Sequence, residues 1–193
     1  MNSVLYKKVE KFVVDSFTKT GEISQIKHFK RTVYWVKQLK NDADEALLIS
    51  AVAHDIERAF MEKFTLKKET HLTDENFLRP HEERGAQIIS DFLKSQGADT
   101  NLIERVKMLV SRHEEGGNEE QNLIKDADSI SFFENNINLF LDEQKMKIEK
   151  EKVKEKLDWM FNRISSEKAK EIARPWYEEA IKKIGFLDDQ KLD

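Results

Sequence analysis

Residues that break helices are scarce in this chain. Its 193 residues include only 6 Gly and 2 Pro, and this scarcity favours long helices over a β architecture with many turns. Apolar side chains also recur at helical intervals. The first such series, between Val4 and Thr18, consists of Leu5, Val9, Phe12, Val13 and Phe17. The sequence therefore predicts an all-α fold.

The same apolar spacing predicts the positions of the helices. They are expected over about residues 4–18, 26–39, 43–56, 80–94 and 100–113, in the segment NLIKDADSISFFE, beyond residue 143, and over 172–184. Pro80 is expected in the first turn of its helix, where a missing N–H removes no intrahelical hydrogen bond. Thr100 is expected to cap the next helix. The polar stretch from Glu57 to Arg79, which includes His71, is expected to form a long loop or flap.

The composition excludes several classes of function. The chain has no cysteine, which excludes disulfides, thiolate zinc sites and a cysteine nucleophile. Its formal net charge is −4, and no basic stripe offers the surface that duplex nucleic acid requires. The segment MNSVLYKKVEKFVV lacks the uninterrupted apolar core of a signal peptide, and no stretch approaches the roughly 18 apolar residues of a membrane span, so we expect no membrane association. We expect a soluble cytoplasmic protein.

Imidazoles and carboxylates occur at helix ends or on predicted core-facing surfaces. They are His28, His54, Asp55, His81, His113 and Asp128. Asp128 lies in the apolar segment IKDADSISFF, where an unpaired carboxylate would be costly to bury. Helical domains build metal sites from helices that each direct one such side chain inward. Imidazole and carboxylate suit Mn, Fe, Co, Ni or Zn. The alternative for each residue is a core side chain that backbone groups or an arginine satisfy.

The order of these residues resembles that of the HD superfamily of metal-dependent phosphohydrolases. His28 in IKHFKRTVYW is similar to the family's first histidine, and AVAHDIER supplies the doublet His54-Asp55. In LIKDADSISFF, Asp128 matches the metal-binding aspartate, and Asp126 is a neighbour by register. The resemblance covers about residues 26–134. It implies an HD-domain helical bundle. Because no repeat and no linker is evident, we expect a single domain over 1–193. The extra C-terminal helices over 143–185 contain no histidine and are expected to serve packing or partner contacts.

Two further segments resemble HD proteins with multinuclear centres, which include the HD-GYP type. His81 opens HEERGAQII, with Gly85 at the matching offset, and His113 lies in SRHEEGG. The double histidine of that group is Arg112-His113 here, and the GYP signature is absent. The resemblance implies one or two divalent ions (Mn, Fe, Co, Ni, Mg or Zn), with Asp55 as the bridge between two. His81 and His113 have a rival role, which is to bind substrate phosphate as protonated imidazoles.

The resemblance also implies roles for nearby residues. Asp55 is expected to act as a ligand and as the group that orients the attacking water. Arg58 occupies the position of a phosphate-contacting lysine, or else forms a surface salt bridge. Some nucleotidase members have a glutamate at that position, so a 5′-deoxynucleotidase mechanism is not expected. Arg31 and Arg112 are candidate substrate contacts, and Glu57 is expected to be solvated.

Three functions are compatible with this ligand set. The leading hypothesis is a metal-dependent phosphohydrolase that acts on a small phosphate ester such as a nucleotide. The second is a di-iron oxygenase, since a minority of HD proteins bind an iron pair with similar ligands. The third is a non-catalytic nucleotide sensor or interaction module, with the charged C-terminal helices as its partner surface. Fold analogy does not separate the three.

Overall fold

The computed structural model describes residues 3–61, 75–144 and 150–189, and these residues form helices and turns without a β-strand. The α-helices are α1 (Val4–Thr20), α2 (Ile23–Leu39), α3 (Glu45–Ala53), α4 (Glu75–Ser95), α5 (Thr100–Val110), α6 (Glu119–Ser131), α7 (Ile137–Gln144), α8 (Lys150–Asn162) and α9 (Glu167–Asp189). A 3₁₀ turn at Ile56–Ala59 follows α3, and a π-helical turn at Phe132–Asn136 joins α6 to α7. The all-α prediction is confirmed.

Short polar side chains cap the N-termini of several of these helices. The Asp44 carboxylate accepts a hydrogen bond from the Leu47 N–H at the start of α3, and Asn118 forms a capping box with Gln121 at the start of α6. The cap of α5 is Asp99, whose side chain accepts from two backbone N–H groups. The prediction that Thr100 is the cap was therefore wrong by one residue. An ionised carboxylate at this position also interacts favourably with the helix dipole.

Helix α4 begins earlier than its apolar pattern predicted. It starts at Glu75, so Pro80 lies inside the helix and His81 is not its first residue. The residues before Pro80 are mostly polar and carry little helical periodicity, and a proline in the second turn removes a single intrahelical hydrogen bond. The predicted loop over 57–79 was therefore too long at its C-terminal end. Its residues 62–74, including His71, lie outside the described residues.

Helix α3 lies at the centre of the larger hydrophobic core. Every residue from Ala46 to Ala53 is buried, and α1, α2, α5 and α6 pack around them. A helix that is enclosed on all sides needs an apolar surface all round, as its sequence ALLISAVA provides. The helix ends at Ala53, three residues before its predicted end, so the next two residues, His54 and Asp55, lie in the following turn. The burial of α3 fixes where that turn is placed.

A second hydrophobic cluster attaches the C-terminal helices to this core. Ile130, near the end of α6, and Phe133, in the π-helical turn, pack with apolar residues of α7, α8 and α9. Trp35 of α2 contributes to both clusters, and its ring centroid lies 6.3 Å from that of Trp176 in α9. These contacts place the C-terminal end of α8 beside α6. Among the described residues, no helix combines the length and apolar character that crossing a bilayer requires.

Candidate metal centre

The structure brings all six predicted ligands together in the interior. They are His28 from α2, His54 and Asp55 from the turn after α3, His81 from α4, His113 from the turn after α5, and Asp128 from α6. Each is at most 6% exposed. Residues that lie 100 positions apart in the chain thus meet at one buried point, and their types are those that bind divalent cations.

Asp128 and two imidazoles form the first half of the site. The Oδ1 atom of Asp128 lies 3.0 Å from Nε2 of His28 and 3.3 Å from Nε2 of His54. Oδ2 of Asp55 lies 3.9 Å from the same His54 nitrogen. These distances between donor atoms are short enough for the donors to share one ion.

Asp55 also belongs to the second half. Its Oδ1 atom lies 2.7 Å from Nε2 of His81 and 3.5 Å from Nε2 of His113. Glu114 joins this half, with Oε1 3.9 Å from the His113 nitrogen. Ligand atoms of His28, His54 and Asp55 lie within 4.8 Å of one another, and so do those of Asp55, His81, His113 and Glu114. Asp55 is therefore placed to contribute an oxygen to each group.

Backbone carbonyl groups orient His54 and His113 in the same way. Each imidazole follows a helix end, and its Nδ1–H donates to the carbonyl three residues earlier, at 3.0 Å for His54 and 2.8 Å for His113. These carbonyls belong to the last turn of a helix and lack an intrahelical partner. Because Nδ1 carries the proton, Nε2 of each ring is left with a lone pair that points into the site.

Side chains orient the other two histidines. The Nδ1–H of His28 donates to the Ser131 hydroxyl at 2.8 Å, and that of His81 donates to the Glu57 carboxylate at 2.8 Å. Glu57 is 4% exposed, so the expectation that it is solvated was wrong. Hydrogen bonds of this kind fix the tautomer and ring orientation of metal-binding histidines. All four Nε2 atoms are therefore directed towards Asp55 or Asp128.

Two of these nitrogens are buried without a hydrogen-bond partner among the described residues, and a bound cation would give each of them a partner. Nε2 of His54 and Nε2 of His113 are buried and have no hydrogen-bond partner in the described part of the chain, although carboxylate oxygens lie 3.3 and 3.5 Å away. A buried lone pair without a partner is destabilising. A divalent ion between the imidazoles and the carboxylates would satisfy both nitrogens.

The two central carboxylates are held in the charged form. Burial alone would raise the pKa of Asp55, but the Arg58 guanidinium and the His113 imidazole hold it well below its usual range. Burial likewise opposes ionisation of Asp128, and Arg163 and His54 lower its pKa well below the ordinary value. Both side chains therefore offer negatively charged oxygens, as metal binding requires.

The predicted arginines lie in different surroundings. Nε of Arg58 lies 2.7 Å from Oδ2 of Asp55, while 48% of its side chain is exposed, so this guanidinium connects the site with solvent. Arg31 pairs with Glu134 at 2.7 Å, and Arg112 pairs with Glu115 at 2.9 Å. Within the part of the chain that the structure describes, neither Arg31 nor Arg112 forms a hydrogen bond or ion pair with the six candidate ligands. Substrate contacts by these residues stay a prediction.

Sequence reasoning missed Arg163, which immediately follows α8. Its guanidinium is buried and donates to the carboxylates of Asp128 and Glu114, and its Nε donates to Ser129 Oγ at 2.9 Å. The C-terminal helices were assigned to packing or partner contacts because they contain no histidine. The available signal was an arginine within the apolar stretch WMFNRI, since a buried arginine needs an acidic partner.

Asp126 faces away from the imidazoles, as its register indicated. Its two carboxylate oxygens accept from the backbone N–H groups of Ser165 and Ser166, at 2.7 and 2.9 Å. These serines lie between α8 and α9. Asp126 thus ties the turn after Arg163 to α6.

Comparison with known proteins supports this architecture. The model of a family described as a domain of unknown function, DUF4202, matches residues 14–184. The chain is also similar to the crystal structure of a predicted HD superfamily hydrolase from an uncultured Thermotogales bacterium, with a TM-score of 0.61 and 17% identity over 95% of this chain and 92% of that one. No curated protein matches the sequence. The HD-type fold that the motifs implied is confirmed.

Proposed function

Because the chain belongs to the family described as a domain of unknown function, DUF4202, and this description specifies no activity, we propose its function from the geometry of the site. The protein is a metal-dependent hydrolase that cleaves a small phosphate ester. The observation that carries the proposal is the direction of four Nε2 atoms towards two buried carboxylates. The structural neighbour described as a predicted hydrolase supports the same reaction class.

The candidate ligands divide naturally between two positions. His28, His54 and Asp128 surround one, His81 and His113 surround the other, and Asp55 reaches both. A divalent ion held there would supply two effects, a lower pKa of a coordinated water and neutralisation of charge on a phosphoryl oxygen. Asp55 is placed to orient the attacking water, because its two oxygens face different halves of the site.

Cationic side chains make the site suitable for an anionic substrate. Arg58 is held through Nε by Asp55 and is half-exposed, so its guanidinium meets the solvent from which a phosphate group enters. Lys156 of α8 interacts electrostatically with Glu114 and Asp128, and desolvation lowers its pKa to about 8. Arginine binds phosphate through two parallel hydrogen bonds, which a lysine cannot reproduce. We therefore assign the phosphate contact to Arg58.

Elemental analysis followed by a phosphatase screen tests this function. Purified protein is expected to contain about one or two divalent ions per chain and to release phosphate from nucleotides or sugar phosphates with Mn, Mg, Co or Ni. Asp55→Ala should abolish both metal retention and turnover, since this carboxylate serves both halves of the site. The matched control is Asp42→Ala, whose side chain is 83% exposed and pairs with Lys40.

Three outcomes would contradict the proposal. The first is a wild-type protein without bound ions and without phosphate release from any substrate. The second is an Asp55→Ala variant that keeps both properties. The third is an iron pair with an absorption change that depends on oxygen and no phosphate release, which would assign the site to oxygen activation.

A further inference from the structure

Arg163 binds two carboxylates of the centre at once. One terminal nitrogen donates to Oε2 of Glu114, the other donates to Oδ2 of Asp128, and Nε donates to Ser129. The side chain is 6% exposed. All three nitrogens of the guanidinium are thus engaged in a rigid planar geometry, which a flexible ammonium group cannot provide.

These contacts occupy one oxygen of each carboxylate and leave the other directed at the imidazoles. Oδ1 of Asp128 lies 3.0 Å from Nε2 of His28, and Oε1 of Glu114 lies 3.9 Å from Nε2 of His113. We propose that Arg163 is a positioning residue of the metal centre, which limits Asp128 and Glu114 to one ligand oxygen each. This inference rests on the proposed function in one respect, which is that the site holds a divalent ion.

The position of Arg163 also couples the two halves of the site. Asp128 faces His28 and His54, whereas Glu114 belongs to the group with His81 and His113. One rigid guanidinium between the two carboxylates therefore sets the distance between the halves. In a two-ion site that distance decides whether both ions reach the same substrate.

The surroundings of Arg163 hold it in this orientation. The Trp159 ring lies against the guanidinium, 4.7 Å from its carbon to the ring centroid. The carboxylate of Asp126 binds the N–H groups of Ser165 and Ser166, so the turn that follows Arg163 is fixed to α6. Supporting groups of this kind are what give a ligand shell its accuracy. The end of α8 is accordingly part of the centre.

Cobalt binding to the purified chain tests this role without reference to activity. Arg163→Lys keeps the positive charge but removes the planar fork, and Arg163→Met removes both. We expect each variant to bind Co²⁺ about 10–100-fold more weakly than wild type. The visible absorption of bound Co²⁺ should also change, because a released Asp128 can offer both oxygens. Arg174→Met is the matched control, since Arg174 lies over the Phe161 ring and is exposed.

The outcomes separate positioning from other roles. If Arg163→Lys binds Co²⁺ with wild-type affinity and spectrum, the side chain only supplies charge and the proposal is overturned. Arg163→Met leaves two buried carboxylates without their partner, so circular dichroism first establishes that it folds. If Arg163→Met does not fold, the Co²⁺ affinity and spectrum of Arg163→Lys alone test the proposal. If wild type binds Co²⁺ and hydrolyses phosphate esters while Arg163→Lys is unchanged, only the positioning role fails. A wild type that binds no ion overturns this inference together with the proposed function.

Discussion

Ser131 determines which nitrogen of His28 faces the candidate metal centre. Its hydroxyl donates to the His28 carbonyl at 2.9 Å, so its lone pair is available to accept from Nδ1–H of the same residue at 2.8 Å. This pair of hydrogen bonds excludes the tautomer with the proton on Nε2. One serine therefore fixes both the ring orientation and the proton position of a candidate ligand.

We predict that Ser131→Ala weakens Co²⁺ or Mn²⁺ binding by about 10–100-fold, because the His28 ring loses its support. The free energy of unfolding should fall by about 1–3 kcal/mol, since the buried Nδ1–H loses its acceptor. Ion titration and urea unfolding measure the two effects. Ser90→Ala is the control, because Ser90 is buried and donates to Ala86 within α4. Equal ion affinities of Ser131→Ala and wild type would show that His28 needs no such support.

The candidate ligands were predictable from the sequence, but their supporting contacts were not. The order His, His-Asp, His, His, Asp is visible in the sequence itself and resembles that of a known superfamily. Ser131 supports His28 across 103 positions, and Arg163 reaches Asp128 across 35 positions. Neither spacing follows from helical periodicity, because each depends on how two helices pack. Packing of this kind is decided by tertiary contacts, which a local pattern does not contain.

At the level of helices, side-chain contacts tie the π-helical turn at Phe132–Asn136, which follows α6, to α2. Glu134 lies in this turn and accepts two hydrogen bonds from Arg31, at 2.7 and 2.8 Å, and one from the Trp35 indole at 2.9 Å. The Arg31 guanidinium also lies 3.8 Å from the centroid of the Tyr34 ring. These contacts make Arg31 a link between two helices that each carry a candidate ligand.

We predict that Glu134→Gln lowers the free energy of unfolding by about 1 kcal/mol at pH 7, a modest value because the ion pair is partly exposed. Burial alone would raise the pKa of Glu134, but the hydrogen bonds from Arg31 and Trp35 lower it. The stabilisation is therefore fully present above the unfolded pKa of about 4.3 and is lost as pH falls through the lower folded pKa. The difference between variant and wild type should shrink in urea unfolding between about pH 5 and pH 3.

Glu179→Gln is the control for this measurement, because Glu179 pairs with Lys183 at an exposed position of α9. We expect its stability to match that of wild type at every pH, because an exposed ion pair contributes little. A difference for Glu134→Gln that stays constant over the whole pH range would mean that the carboxylate charge makes no contribution.

The predicted and observed helix boundaries differ most at the N-terminal ends of helices that begin with polar residues. Helix α1 was predicted nearly to its end, because its apolar period is regular and Gly21 follows with a φ of 78°, a conformation that glycine adopts without strain. Helix α4 was predicted five residues short, since the polar residues before Pro80 have no core-facing period. Helix α9 also begins before its apolar series, at Glu167, with Pro175 in its interior. Apolar spacing shows where a helix is buried but not where it starts.

At the scale of the whole molecule, the candidate site brings together residues from helices that belong to two different hydrophobic clusters. The larger cluster contains α1, α3 and α5, and the smaller one contains α8 and α9. Arg163 brings the end of α8 to Asp128 and Glu114, so the C-terminal helices complete the candidate site as well as packing beside it. An ion bound by the site would consequently connect α2, α4, α6 and the turns after α3 and α5, and Arg163 would add the end of α8.

An ion that binds only the folded chain stabilises the whole fold through these contacts, so we predict that the unfolding temperature depends on whether the ion is bound. At a free ion concentration of about 100 Kd the stabilisation is about 2.7 kcal/mol. A chain of this size shifts its unfolding midpoint by about 2–4 °C per kcal/mol, so removal of the ion with a chelator should lower the midpoint by roughly 5–11 °C. Differential scanning calorimetry of wild type with and without chelator measures this shift. Asp55→Ala should unfold at one temperature under both conditions, since it loses the carboxylate that both groups of ligands share. A wild-type midpoint that is insensitive to the chelator, in protein shown to contain the ion, would mean that the cation binds folded and unfolded chains alike.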